Sequence, residues 1–401
     1  MPKPGLDAAI ANARATLLAA PFVEGPGDEA KALQYLDGLI ESSRRLARSV
    51  IEQPVFVRPI GPIEQHGDRF MKAGLDNPDN DYWQAEVRSG STYVIEGQRG
   101  TTVDLNLQLL DGSYAEHTDR LAASLGTLTL ADLVIDDDGS WNVTLGGDPV
   151  EGNHIALPPD ASTIFVRETW ADWATERPGS LSIRKIAGPD HTPTDESLAE
   201  MTARFLHTRV DLWLQFGPGV DATVMAAAAL QSFDPNMLIG PMQTPSGLDD
   251  QYSASGRFDL AEGHALVITL HQAGAPYVGI QLGDDFFTSL DYADRSTCLN
   301  HAQAVTDVDG AMRFVVAYTD PGIANWLDTT GRSHGYLFCR WHGLTADTPP
   351  PVPTIEAMAL GDVAAHLGSV SRLVSPEERS EALRNRTAGF AARRAALPDC
   401  D

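Results

Sequence analysis

The chain has 401 residues, 43% of them apolar, and sets 29 Lys and Arg against 55 Asp and Glu for a formal net charge of −26. That length and apolar content exclude a fibre or a disordered tail and imply two or three packed units. The acidity excludes nucleic acid and anionic membrane surfaces as partners, because both are held by clustered cations.

Between Asp28 and Gln53, apolar residues recur at helical spacing (Leu33, Leu36, Leu39, Leu46, Val50), and Pro54 discourages continuation, which predicts an amphipathic helix. From about Asp76 to Ile186 the texture changes to short apolar runs. Strands are expected at Thr92–Glu96, Thr102–Leu110, Leu133–Ile135, Trp141–Leu145, Ile164–Thr169 and Leu181–Ile186, with Asp111-Gly112 and Asp138-Gly139 as turns. Helical periodicity returns from Pro193 to Gln231, with Thr194 or Asp195 as N-cap. A stretch rich in Pro and Gly, Pro235 to Asp250, leads to strands at Ala265–Leu270, Tyr277–Leu282, Met312–Tyr318 and Gly335–Trp341. After the proline run that ends at Pro353, helices are expected at Ile355–Leu367 and Glu377–Leu397.

These readings give an α+β fold: two related antiparallel β-sandwich, jelly-roll-like units at 71–190 and 251–345. A helical segment at 1–70, a helical connector at 191–250 and C-terminal helices at 346–401 complete it. No apolar stretch approaches the roughly 18 residues that cross a bilayer, and Met1 to Ala20 lacks a basic start followed by an apolar run. A cytoplasmic protein is expected, without membrane partners and compatible with homo-oligomers. Cys298, Cys339 and Cys400 are odd in number and lack CxxC spacing, so they read as ordinary thiols.

The two strand regions repeat one order of features. Asp138-Gly139 precedes a strand, then Asp148-Pro149, Asn153 and a strand with Phe165 and Arg167; Asp309-Gly310 precedes a strand, then Asp320-Pro321, Asn325 and a strand with Phe338 and Arg340. The Asp-to-Asn spacing agrees (153 − 148 = 5, 325 − 320 = 5), and Tyr93-Val94 is matched with Tyr277-Val278. Strand alternation puts Tyr336, Phe338, Arg340 and His342 on one face, with Leu337, Cys339 and Trp341 on the other. Arg167 and Arg340 can each capture an anionic substrate or pair with a scaffold Asp such as Asp148 or Asp320; their presence in both halves favours the scaffold role.

The run Asn77-Pro78-Asp79-Asn80-Asp81-Tyr82, the segment Tyr93-Val94-Ile95-Glu96-Gly97 and the run Asp320-Pro321-Gly322-Ile323-Ala324-Asn325-Trp326-Leu327 together resemble bacterial DUF1214-type proteins, a family of unknown function. The resemblance implies β-sandwich modules and brings no catalytic residues with it. The first half departs from it with Asn153-His154.

Two polar clusters can carry chemistry. In Gly283–His301, a His beside carboxylates suits proton transfer, a Tyr can donate to a developing oxyanion and an Arg can hold an anion. His301, Tyr292 and Asp291 are the catalytic candidates, with Arg295 and Asn300 as substrate-binding residues. The second cluster runs from Asp76 to Trp83, where Asp79 and Tyr82 are candidate contacts to a polar ligand. Both also read as Asp-rich turns. They form one pocket only if the two β units pack face to face.

Neither HExxH nor an EF-hand pattern occurs, and no nucleotide fingerprint is present, so neither metal nor organic cofactor is expected. Gly331-Arg332-Ser333-His334-Gly335 opens a strand and reads as a turn, unlike a nucleophile elbow. Trp170, Trp173, Trp213 and Trp341 can stack on a ring or fill the core, and the core role is favoured. The expected function is cofactor-independent acid–base chemistry on a small, partly apolar metabolite, as a hydro-lyase, isomerase or hydrolase. The alternative is a non-catalytic ligand-binding or assembly module of tandem sandwiches.

Overall fold

Alternation of apolar and polar residues, which gives a strand two unlike faces, recurs through both halves of the chain. The computed structural model describes residues 5–63, 69–113, 116–190, 194–244 and 247–397. Its helices are α1 (Leu6–Leu18), α2 (Pro26–Ile51), α3 (Leu198–Trp213), α4 (Met225–Ser232), α5 (Val363–Leu367) and α6 (Pro376–Ala396). The strands up to α3 are β1 (Gly61–Pro62), β2 (Phe70–Met71), β3 (Asn80–Glu86), β4 (Thr92–Gln98), β5 (Asp104–Leu110), β6 (Ser124–Leu128), β7 (Ser140–Leu145), β8 (His154–Ile155), β9 (Thr163–Thr169) and β10 (Ser180–Ala187). The later strands are β11 (Met237–Gln243), β12 (Tyr252–Asp259), β13 (His264–His271), β14 (Tyr277–Gly283), β15 (Cys298–Asn300), β16 (Ala311–Ala317), β17 (Trp326–Asp328), β18 (His334–His342) and β19 (Thr354–Ala359).

The first sandwich packs the sheet β3-β9-β5-β6 on β10-β4-β7-β8, and the second packs β11-β12-β18-β14-β15 on β17-β16-β13-β19. Strand for strand, β3 to β10 take the places that β12 to β19 take, down to the short parallel pairings β7·β8 and β16·β17. The fold is therefore α+β, with two sandwiches of one topology. Local devices repeat as well. Gly139 and Gly310 both have φ +83, a turn that only glycine adopts freely. The Asn153 amide accepts from Val134 N and donates to Val134 O, both at 2.8 Å; Asn325 does the same to Val305, both at 2.7 Å.

Four expectations are corrected. Tyr93 lies on β4, whose counterpart is β13, so Tyr277 on β14 is not its match. Leu133–Ile135 is not a strand, because the Asn153 side chain takes the backbone groups of Val134 that a partner strand would use. Ile355 lies in a strand instead of opening a helix, since β19 pairs along β13, and tertiary pairing overrides local helical spacing. The cap of α3 is Ser197, in a capping box with Glu200, instead of Thr194 or Asp195.

Alternate residues of each strand fill the sandwich cores. Ile164 and Val166 of β9 join Leu107, Val143 and Trp141; Leu337, Cys339 and Trp341 of β18 join Ile268, Ile280 and Phe314. Each fully buried Leu such as Leu107 or Leu337 contributes about 2 kcal/mol by leaving water. Most of the remaining alternate residues of β3, β5, β9, β12, β14 and β18 are polar or aromatic, and many of them, such as Gln108, Arg167, Gln281 and Arg340, are still buried, because the two sheets that carry them face each other across a seam. His342 Nδ1 on β18 meets Asp104 Oδ2 on β5 at 3.1 Å, and Arg340 Nη2 donates to Leu75 O at 2.6 Å. Helices α1, α2 and α3 share a core of Leu17, Leu36, Leu39, Leu206 and Val210. From the C-terminal end, α6 sends Arg393 to Pro78 O, Asn80 O and Asp81.

Candidate functional site

The seam holds a half-open cavity of about 310 Å³. Because β9 and β18 turn alternate residues inward, Phe165 and Arg167 line it from the first sandwich, and Phe338 and Arg340 line it from the second. Each arginine stacks on the phenylalanine two residues before it, at 4.4 and 4.2 Å. Arg167 Nη1 donates to Gln108 Oε1 at 2.7 Å, and Arg340 Nη1 donates to Gln281 Oε1, over the same sequence separation of 59 residues. The expected scaffold pairing with Asp148 or Asp320 does not occur. Asp320 is held by Arg379 at 2.8 Å and Asp148 lies exposed on a turn. The cavity arginines instead rest on neutral amides, and burial pulls the Arg340 pKa down.

The rest of the seam is unlike on its two sides. Tyr82 is the β3 neighbour of Arg167, whereas Ser253 is the β12 neighbour of Arg340; Gln84 and Ser255 hold the next equivalent positions. Helices also line the cavity, with Leu46 from α2, Arg209 and Trp213 from α3 and Leu230 from α4. Gly74 lies so close to Trp213 that an added Cβ would stand 2.7 Å from the indole, which fixes glycine there. Asp76 also faces the cavity, its carboxylate accepting from Ser289 N at 3.1 Å and Ser289 Oγ at 2.8 Å. Burial raises the Asp76 pKa above the usual carboxylate range, against the pull of Lys72. Charged residues on the wall are Arg167, Arg209, Arg340 and Asp76, so the formal sum is 3 − 1 = +2 inside a chain of net −26.

Of the residues singled out from the sequence, Tyr82 lines this cavity, its hydroxyl accepting from Asn77 N at 2.8 Å. Asp79 lies outside the wall, where Trp173 Nε1 and Tyr277 Oη each donate to it at 2.7 Å. Asn300 is fully buried and tied to Ala171 O at 3.0 Å. His301 Nδ1 accepts from Val278 N at 3.4 Å, and burial lowers its pKa. Tyr292 packs among Phe70, Trp173 and Phe390, and burial raises its pKa well above normal. Asp291 is exposed, 3.6 Å from Lys72, and Arg295 pairs with Asp328 at 3.1 Å. The structure therefore does not gather His301, Tyr292, Asp291, Arg295 and Asn300 into the cavity. Their density in the sequence reflects a turn-rich segment around β15 that ties the second sandwich to its neighbours.

Arg209 was the residue the sequence reading missed. Its one signal is position: it follows Phe205 by four residues and precedes Trp213 by four, on the apolar stripe of α3. Among the described residues no group of three or more His, Cys, Asp or Glu is placed to hold a metal ion, and no helix is long and apolar enough to cross a membrane.

No protein family and no curated protein matches the chain. Among solved structures, an uncharacterized protein from Burkholderia cenocepacia is similar at 27% identity over 88% of this chain and 96% of its own, with a TM-score of 0.73. A protein from Vibrio parahaemolyticus matches 80% of this chain and 100% of its own at 10% identity, with a TM-score of 0.42. The chain shares the fold of the Burkholderia protein.

Proposed function

We propose that the protein binds a small organic molecule with a largely apolar body in the cavity between its two sandwiches, as a ligand-binding module. The observation that carries this reading is the wall itself. Phe165, Phe338, Trp213, Phe216, Phe287 and Ile239 surround a volume of about 310 Å³, with a few polar groups fixed among them. That is the composition and size of a small-molecule site. We also read the chain as cytoplasmic and as a relative of the DUF1214-type proteins, on the segment Asp320–Leu327 that enters β17.

The test is a titration with 1-octanol, read by the fluorescence of Trp213 on the wall. One saturable site is expected, and Ser255→Trp, which fills the space, should abolish it while far-ultraviolet circular dichroism is unchanged. Absence of saturable binding overturns the reading.

A second reading, acid–base catalysis in the same cavity, is favoured by one observation. Asp76 faces the cavity, and burial raises its carboxyl pKa, the direction that suits a general acid–base. Under that reading Asp76→Asn removes turnover of a hydro-lyase, isomerase or hydrolase substrate and leaves its binding intact.

A further inference from the structure

Arg209 sits on α3 with 2% of its surface exposed, on the wall of the cavity. Its Nε and Nη1 are buried without a hydrogen-bond partner, and it enters no ion pair among the described residues. An isolated buried guanidinium is costly, since it gives up water without receiving an acceptor. Burial, opposed by Tyr35, pushes its pKa down to about 10, so it still carries its charge at neutral pH. The nearby Tyr35 hydroxyl is also buried and unpartnered, and the nearest carboxylate on the wall, Asp76, is engaged by Ser289. Arg167 and Arg340 are held by the neutral amides of Gln108 and Gln281, and Arg340 also by Leu75 O, with Asp76 and Asp79 as the carboxylates in its field.

Three arginines therefore line one space together with apolar rings, a few neutral polar side chains and a single carboxylate, Asp76, in a molecule of net charge −26. A neutral head would offer Arg209 an uncharged acceptor, whereas an anionic head would give it a charge-assisted partner. An apolar tail would meet the phenylalanines. We infer that the ligand is an amphipathic organic carboxylate whose head binds Arg209, with Arg167 and Arg340 adding to the field and the tail lying between Phe165 and Phe338. This inference rests on the binding reading above and names the chemical class of its ligand.

The experiment titrates the full chain with octanoate, 1-octanol and octylamine by isothermal titration calorimetry, in the wild type and in Arg209→Met. Octanoate should bind wild type at least about 10-fold more tightly than octanol, and octylamine more weakly than either. In Arg209→Met the preference for octanoate should lose most of that factor while octanol keeps its affinity. Methionine has similar length and no charge, so the free variant should melt higher than the free wild type, because an unpaired buried charge has been removed. Equal affinity for octanoate and octanol, or preference for octylamine, overturns the carboxylate and leaves the binding reading standing. No binding of any of the three overturns the binding reading itself. A lower melting temperature of free Arg209→Met shows that the guanidinium has a structural partner and overturns the assignment of its role.

Discussion

Tyr277 of the second sandwich donates its hydroxyl hydrogen to Asp79 of the first at 2.7 Å, while Trp173 donates to the other oxygen of that carboxylate, also at 2.7 Å. Asp79 is 2% exposed and Tyr277 1%, so this contact sits inside the seam and joins the two units. Removing the acceptor strands the Trp173 indole N–H and takes from the Tyr277 hydroxyl its charged partner, leaving it Asn77 alone, whereas removing the tyrosine hydroxyl leaves one Asp79 oxygen unpaired. Asp79→Ala should therefore destabilise by about 3–5 kcal/mol and Tyr277→Phe by about 1.5–3 kcal/mol, measured by urea unfolding. A larger cost for Tyr277→Phe would contradict this order.

Arg393 makes the corresponding tie from α6. It is 5% exposed, donates to Asp81 Oδ1 and Asn80 O at 2.9 Å and to Pro78 O at 2.5 Å, and lies over the rings of Trp170 and Trp173. Arg393→Ala leaves the buried Asp81 carboxylate with the Trp170 indole N–H as its remaining side-chain donor. The expected loss is about 3–5 kcal/mol. Arg393→Lys should recover less than half of it, because a single ammonium cannot reach three acceptors from a planar fork. Thermal melts of the three proteins check both statements.

Glu86 sets a pH dependence. Burial, reinforced by Glu116, raises its carboxyl from the usual 4.5 to about 8. The folded chain thus holds a proton there between about pH 4.5 and 8 that the unfolded chain releases. With more protons bound in the native state, stability falls as pH rises through that window. Glu86→Gln should remove this slope, stabilising the protein at pH 8 by more than at pH 5. Chemical denaturation at the two pH values decides, and an equal effect at both would contradict the shifted carboxyl.

Cys298 and Cys339 are buried free thiols, which burial pushes up to about 11 and about 12. The thiolate is the reactive form, so neither should react with a thiol reagent in the native protein at pH 7.5. Both should label on unfolding in urea, as read by peptide mass spectrometry. Rapid native labelling at either position would show that its surroundings open.

What the sequence revealed and what it hid divide along one physical line. Period-two alternation around Arg167 and Arg340 gave the correct faces, because a pleated strand turns its side chains mechanically. The repeat of Asp-Gly, Asn and the Phe-x-Arg strand gave the duplication, because each of these does a local job: the positive-φ turn at Gly139 and Gly310, the amide bridge at Asn153 and Asn325. The pocket was not legible. Its wall joins Leu46, Asp76, Arg209, Phe338 and others from distant parts of the chain, and no spacing records a meeting made by tertiary packing. Conversely, the polar run at Gly283–His301 drew notice through density, and its side chains turned out to serve turns, ion pairs and buried ties.

The two sandwiches are copies in topology, yet Tyr82 and Gln84 stand on one side of the seam where Ser253 and Ser255 stand on the other. Two identical chains meeting about a dyad would have to present the same wall twice, and would favour a guest that is itself two-fold symmetric or bound in two superimposed orientations. Covalent linkage of the copies lifts that obligation. Each wall is free to vary while the arginine, phenylalanine and glutamine common to both hold the frame, so a head-and-tail guest can be received in one orientation only.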